Sequence, residues 1–454
     1  MSYIYFPRGR ASSEGYRFPW LLFLFVGLAL LVVFQWPLQI HNNPDDYNVS
    51  EAIPLPGSDG PVVREIMLLL LCTVATIGLV RRTNDPHLRV NGLMGWLLMA
   101  FLSWALMSAL WTQDLSQTSK RLTSFVILCV LAAAIVRRLS LRQILLWTFF
   151  TTLLFLVIAI ANELISGMFH PLVPGYRFSG VQHPNTEGME CAFLAFSGFV
   201  AANTETRYKR VFAAVGVVAV VFLLLTVSRT TLAATALALA IYFVTVSQRN
   251  KTMIVPILGL LVSISLLVAM TGSFEGLNAK LFPGRDIGGV ESFAGRSSVW
   301  QDLVPYIRDR PIQGYGYGGF WTAKVSDVIA DKEDWAVPNA HSTYIDYFLA
   351  LGAVGGILYI LCLISGLWRA FGFYRRTRDP HFAYLAGILI FCTVDGVLES
   401  SAGEVTLLSC LTVIALIRLA FLPLQQTHRV AAERRASKPE LHLVNSPAGN
   451  GVLG

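Results

Sequence analysis

Apolar runs long enough to cross a bilayer recur along almost the whole of this chain, and they restrict its fold more than any single motif does. They cover approximately residues 18 to 40, 62 to 80, 91 to 111, 122 to 136, 143 to 162, 186 to 202, 211 to 227, 231 to 246, 253 to 271, 342 to 368, 382 to 398 and 403 to 422. A bilayer core takes about 20 apolar residues of helix to cross, and no backbone polar group may be left unsatisfied in it. Composition agrees: of 454 residues, 54% are hydrophobic and 14% charged, against roughly 45–50% and about 25% in soluble domains. The expectation is an all-α polytopic membrane protein with about 12 transmembrane helices. The first run follows Arg8, Arg10 and Arg17 and shows no small-residue cleavage site, so it reads as a retained anchor.

Basic residues in the short loops set the orientation, because cytoplasmic loops accumulate Lys and Arg. On the side of the N-terminus lie eighteen, from Arg8, Arg10 and Arg17 through Arg81, Arg82, Arg89, Arg137, Arg138, Arg142, Arg207, Lys209, Arg210, Arg249 and Lys251 to Arg369, Arg375, Arg376 and Arg378. The short loops of the other side hold five: Arg64, Lys120, Arg121, Arg177 and Arg229. Both termini are therefore expected in the cytoplasm. The net charge of +7 reads as topology and not as a nucleic-acid surface. All six cysteines fall inside apolar spans, which suggests small core residues and neither a disulfide framework nor a metal site.

Three outer segments are long enough to hold structure: residues 41 to 61, 163 to 185 and 272 to 341. The first is acidic and proline-rich and reads as a flexible loop. The third is expected to form a small helical cap. Within it Ser298 to Gln301 fits a capping box, and Trp300, Leu303, Val304 and Ile307 follow a helical stripe that Pro305 should kink or shorten. Arg296 would then precede the cap, at a helix N-terminus whose free amides favour an anion. The residues after the last span, 423–454, read as a disordered cytoplasmic tail.

Arg229 stands in Val227-Ser228-Arg229-Thr230-Thr231, where two apolar runs meet with no room for more than a three-residue turn. An arginine at such a position snorkels to the surface or answers a negative partner. By the topology above, Arg229, Arg296 and His341 all emerge on the non-cytoplasmic side. Two cations and one titratable base suggest a site for a diphosphate and a hydroxyl: arginine forks onto phosphate oxygens, and histidine accepts a proton near neutral pH. Taken singly, Arg229 is equally a snorkelling turn residue and His341 an interfacial histidine at a helix start. Tryptophans such as Trp20, Trp111, Trp321 and Trp335 read as interface anchors.

Gly295-Arg296-Ser297-Ser298-Val299-Trp300, then Arg310-Pro311-Ile312-Gln313-Gly314-Tyr315-Gly316-Tyr317-Gly318, then Ala340-His341-Ser342-Thr343-Tyr344 with Leu351-Gly352-Ala353-Val354-Gly355 resembles the signature of the O-antigen ligase and O-antigen polymerase superfamily. Arg177-Phe178-Ser179-Gly180 with His183-Pro184-Asn185, and the Ser228-Arg229-Thr230 turn, are similar to two further landmarks of that family. Ser342 departs from it, since the family usually has Asn after the histidine. The resemblance implies a GT-C-like glycosyltransferase of the bacterial inner membrane with a periplasmic cap. It would occupy residues 1–422, with the cap at 272–341, and need no metal or other cofactor. Its donor would be an undecaprenyl diphosphate-linked glycan. Its acceptor would be lipid A core for a ligase, or the growing polysaccharide for a polymerase. Carried over position by position, Arg229 and Arg296 would hold the diphosphate and His341 would activate or orient the acceptor hydroxyl. Arg177, His183, Asn185 and Tyr344 would be further substrate contacts.

Rival readings stay open in the sequence. The catalytic trio serves ligase and polymerase alike, and a secondary transporter or flippase is permitted by the span count and by Asp395. His170, His183 and His341 lack helical ligand spacing for a metal. Gly314 to Gly318 reads as a compact surface turn without the strand and helix of a phosphate loop, and Asn185 as a candidate helix cap. Asp395 and Glu399 fall on one helical face, either functional or partnering an outer arginine.

Overall fold

The computed structural model describes residues 26–30, 32–33, 62–81, 88–173, 176–247, 293–333 and 337–421, and among them every regular element is helical. The expected segments at 41–61 and 253–271, the first part of the cap and the tail at 423–454 lie outside the described residues, as does most of the span at 18–40. The helices are α1 (Val62–Val80), α2 (Gly92–Met107), α3 (Leu115–Arg138), α4 (Leu141–Ile165), α5 (Pro184–Thr204), α6 (Lys209–Leu225), α7 (Arg229–Val246), α8 (Phe293–Asp309), α9 (Ala323–Glu333), α10 (Thr343–Thr377), α11 (Pro380–Asp395) and α12 (Leu407–Ala420). Of the described helices, 6 are long and apolar enough to cross a membrane, and α11 and α12 are apolar but shorter. This is a polytopic membrane protein.

Local sequence explains where the helices start. Asp114 accepts the Gln117 amide ahead of α3, Ser140 with Gln143 and Thr406 with Ser409 form capping boxes for α4 and α12, and Pro184 and Pro380 open α5 and α11. At one end of the bundle, arginines satisfy carbonyls that helix termini leave unpaired. Arg138 donates to Gly78 and Arg81, Arg369 to Asn91 and Arg418 to Val136. Arg142 pairs there with Glu205. Arg138, Arg142 and Arg369, expected on one side from loop composition, do gather at one end, and Arg418 within α12 joins them; the six cysteines are free and all lie on helices.

The opposite end carries α8 and α9. They share a small core in which Val299, Leu303, Tyr315, Phe320, Trp321, Ile329 and Val337 are buried. Two details differ from the sequence reading. Helix α8 begins at Phe293, so Ser298 is no cap; its hydroxyl donates to Glu333 at 2.8 Å, and Arg296 sits inside the first turn. The buried stripe is Val299 and Leu303, flanked by Tyr306 and Ile307, while Val304 is exposed. Pro305 is accommodated without ending the helix.

Helix α10 is broken at Gly352, whose φ of 64° and ψ of −167° are not helical. The break strands carbonyls and amides in an apolar segment, where they cannot stay unpaired. Residues 311 to 316 satisfy them. Tyr315 and Gly316 amides donate to Leu349 and Ala350 at 2.9 and 2.8 Å, and the Ala353 amide donates back to Pro311 at 2.8 Å. Trp104 Nε1 caps the Leu351 carbonyl at 2.9 Å. The Gly314 to Gly318 run is thus no surface turn but a buried plug: Tyr315 and Tyr317 are buried, and any Cβ on Gly314 would lie 2.5 Å from the Leu349 carbonyl oxygen.

Candidate active site

The connection that follows α11 is the hub at the cap end. Its helical turn continues through Glu399, whose amide donates to the Asp395 carbonyl at 2.9 Å, so the two acids share a face as their spacing predicts. Both are buried. Glu399 Oε1 accepts from Arg296 Nη2 at 2.7 Å and from Asn185 Nδ2 at 3.0 Å. Asn185 Oδ1 in turn accepts from Arg177 Nη2 at 3.1 Å, and Arg177 Nε donates to the Thr226 carbonyl at 3.2 Å. The start of α5 and the first turn of α8 therefore meet on the carboxylate that follows α11, and the loop before α5 is tied to it through Asn185.

The loop carrying Arg177 is itself pinned. Glu163, at the end of α4, accepts the amides of Ser179 and Gly180 at 2.8 and 2.9 Å and the hydroxyl of Tyr176. Asp395 reaches the start of α7: Ser228 Oγ donates to Thr231 Oγ1 at 2.9 Å, and Thr231 Oγ1 donates to Asp395 Oδ1 at 3.0 Å. Asp395 Oδ2 meets no donor among the described residues. The Ser228 hydroxyl is thereby kept from capping its own helix, so the first-turn amides of α7 beside Arg229 favour negative charge. The preceding Val227 has a φ of 57°, a left-handed conformation that is strained for a β-branched residue.

His341 also sits at a positive φ, 48°. Its backbone is clamped on both sides. The His341 amide donates to Asn339 Oδ1 at 2.9 Å, the Ala340 carbonyl accepts Trp300 Nε1 at 2.8 Å, and the Ala340 amide donates to the Asp346 carboxylate at 3.2 Å. Asp346 further accepts Trp321 Nε1 at 2.7 Å and the Ser400 hydroxyl. Two residues on, Thr343 donates to the Glu399 carbonyl through its amide and, at 3.0 Å, its hydroxyl. Backbone strain that surrounding bonds hold in place is common where a side chain must be aimed.

The sequence-derived candidates divide accordingly. Arg177, Asn185 and Arg296 are joined through Glu399. Arg229, the first residue of α7, and His341 stand within two residues of groups bonded to the same 395–399 segment. His183 is the helix cap: its Nδ1 accepts the Asn185 amide at 3.2 Å, the role the sequence had offered Asn185. Tyr344 is turned into the bundle, its hydroxyl on the Thr393 carbonyl at 2.9 Å and its ring 6.2 Å from Tyr359, bracing α10 against α11. Trp321, read as an interface anchor, is a buried donor to Asp346. Glu399 is the arginine partner. Asp346 is not among the residues the sequence singles out, although an acid five residues after His341, at the start of an apolar run, was the available signal. Among the described residues no three His, Cys, Asp or Glu side chains gather as a metal site needs.

Chemically, this end offers an anion several donors. Arg296 uses Nη2 on Glu399, while its buried Nε meets no acceptor among the described residues. Residues 214–360 match a family model described as O-antigen ligase. The matched stretch runs from α6 into α10 and contains Arg229, Arg296, His341 and Tyr344; Arg177, His183, Asn185, Asp395 and Glu399 lie outside it. No curated protein matches the chain.

Proposed function

From membership of the O-antigen ligase superfamily, which its matched domain supports, we propose that this protein is a membrane glycan ligase that moves a glycan from undecaprenyl diphosphate to an acceptor hydroxyl. The family supports enzymatic, ligase- or polymerase-type work in glycan assembly. The reaction proposed is a direct, inverting displacement on the periplasmic face of the inner membrane. The acceptor oxygen attacks the anomeric carbon as the bond to diphosphate breaks. Arg229 and Arg296 hold the diphosphate and stabilise the charge that builds on the departing oxygen; fixed donors of this kind contribute about 10²–10³ in rate each. His341 accepts the hydroxyl proton, and its clamped backbone fits a base whose reach must be exact to a fraction of an ångström. Arg177 and Asn185 act through Glu399, orienting Arg296.

One observation carries this reading. Residues separated by as much as 214 positions converge on Glu399, beside the two strained residues that flank Arg229 and seat His341. Lipid A core is the acceptor favoured for a ligase; a polymerase, passing the chain to the next repeat, shares the chemistry. Deleting the gene and complementing it with Arg229→Ala, Arg296→Ala or His341→Ala tests the proposal on a gel of surface polysaccharide. Loss of capped lipid A with intact lipid-linked polymer is the expected result. Accumulated single repeats would assign polymerisation, and wild-type polysaccharide from any variant would remove that residue from the mechanism.

A further inference from the structure

A cavity system lies between α1, α2, α3, α10 and α12, its inner wall including Tyr317, Tyr347 and Ser401. Its mouth carries Arg64, Lys120 and Arg121 together with Glu65, Asp114 and Glu404. Beneath the mouth an apolar slot continues past Phe101, Leu128 and Val413. The two spaces adjoin at Arg121, Gly403 and Val405. Neither Arg177, Asn185, Arg296 nor His341 lines them.

Three observations define an occupant. The slot descends along α3 from Arg121 to Cys129, which at 1.5 Å per residue is about 12 Å, the length of some ten methylenes of extended chain. Helix α1 is only 11% buried and exposes Ile66, Leu69, Leu70 and Ile77, so the mouth borders the surrounding lipid. Its charges are balanced, three of each sign, and Arg64 Nε is buried with no acceptor among the described residues, while Glu404 and Glu65 lie near enough to act on that guanidinium. A buried donor without an acceptor calls for an oxygen ligand. A phosphate supplies it, and an ammonium on the same head answers the carboxylates.

We propose that this groove binds one zwitterionic phospholipid, with its phosphate on Arg64, its ammonium among Glu65 and Glu404, and one acyl chain in the slot. Full-length protein in detergent, titrated with phosphatidylethanolamine and read by native mass spectrometry, tests it. The wild type binds one molecule. Arg64→Gln, a change at a half-buried position, lowers occupancy about tenfold, as loss of a charged hydrogen bond implies. Val413→Trp, which fills the slot from a half-buried position, lowers it similarly. Unchanged occupancy in Arg64→Gln, equal binding of diacylglycerol, or displacement by equimolar phosphatidylglycerol or undecaprenyl phosphate would each overturn the assignment.

Discussion

Arg296 and Glu399 are 6% and 10% exposed as side chains, and a charge so buried is tolerable only with its counter-ion. Removing one partner of such a pair costs about 3–5 kcal/mol, whereas replacing both with neutral groups can be nearly neutral. Glu399→Gln should therefore lower the melting temperature in detergent markedly. Adding Arg296→Met should restore most of it while leaving transfer absent, and a double variant that melts no higher than the single would show that the loss does not come from an unpaired Arg296 charge. Asp346→Asn removes an acceptor from the Ala340 amide or the Ser400 hydroxyl, each worth about 1–3 kcal/mol when orphaned. Its predicted signature is a fall in kcat with KM little changed, because His341 is displaced and no anion contact is lost. A normal kcat would deny Asp346 a positioning role. Arg229, Arg296 and His341 are candidates by type and order alone. The sequence also offered Glu399 as a partner for an outer arginine but could not say which, since Arg296 stands 103 residues away and no local pattern encodes such a pairing.

Individual helices followed their sequence signals, and the departures came where another element intervened. An apolar stretch with scattered glycines reads as a continuous span, yet Gly352 breaks α10 because residues 311 to 316 supply the hydrogen bonds the break forfeits. Gly352→Ala would bring a Cβ to 2.2 Å from the Ile312 carbonyl oxygen at a φ of 64°. Positive φ alone costs about 1–3 kcal/mol for a non-glycine residue, and the contact adds to that. The expected result is early melting and loss of activity; wild-type melting would mean that the plug is not seated on the break. A milder, pH-dependent effect belongs to the junction of α4 and α5. There the hydrogen bond from Arg142 holds the Glu205 carboxyl below its usual range. Its stabilising contribution is thus present above the unfolded carboxylate pKa and fades as pH falls through the lower folded value. Arg142 is largely exposed, so the effect is small; Arg142→Gln should narrow the melting difference between neutral and acid pH, and an unaltered difference would dismiss the pair.

Across the whole molecule the two ends differ in chemistry. Arginines cap helix carbonyls at one, and the other carries the α8 and α9 layer with its own core over the Asp395 to Glu399 hub. By the positive-inside tendency the arginine end is expected in the cytoplasm. In a cysteine-free background, Lys324→Cys on exposed α9 should react with an impermeant maleimide in spheroplasts, whereas Arg375→Cys at the end of α10 should react only after lysis. The reverse pattern would invert the topology and place the candidate site on the wrong face for a periplasmic reaction.

Sequence by itself determined the class of this protein, because long apolar runs in lipid have no alternative to helices, and it determined which residues stand at the cap end, because loop charge orients the spans. Capping residues marked some helix starts, such as those of α3, α4 and α12, but not that of α8, where Ser298 lies inside the helix. Which side chains share a bond was decided only by the tertiary structure: His183 against Asn185 as cap, Tyr344 turned into the bundle, and a glycine run buried in a broken helix. Those outcomes depend on how the segments pack, and a buried polar group takes whichever partner the packing brings within about 3 Å.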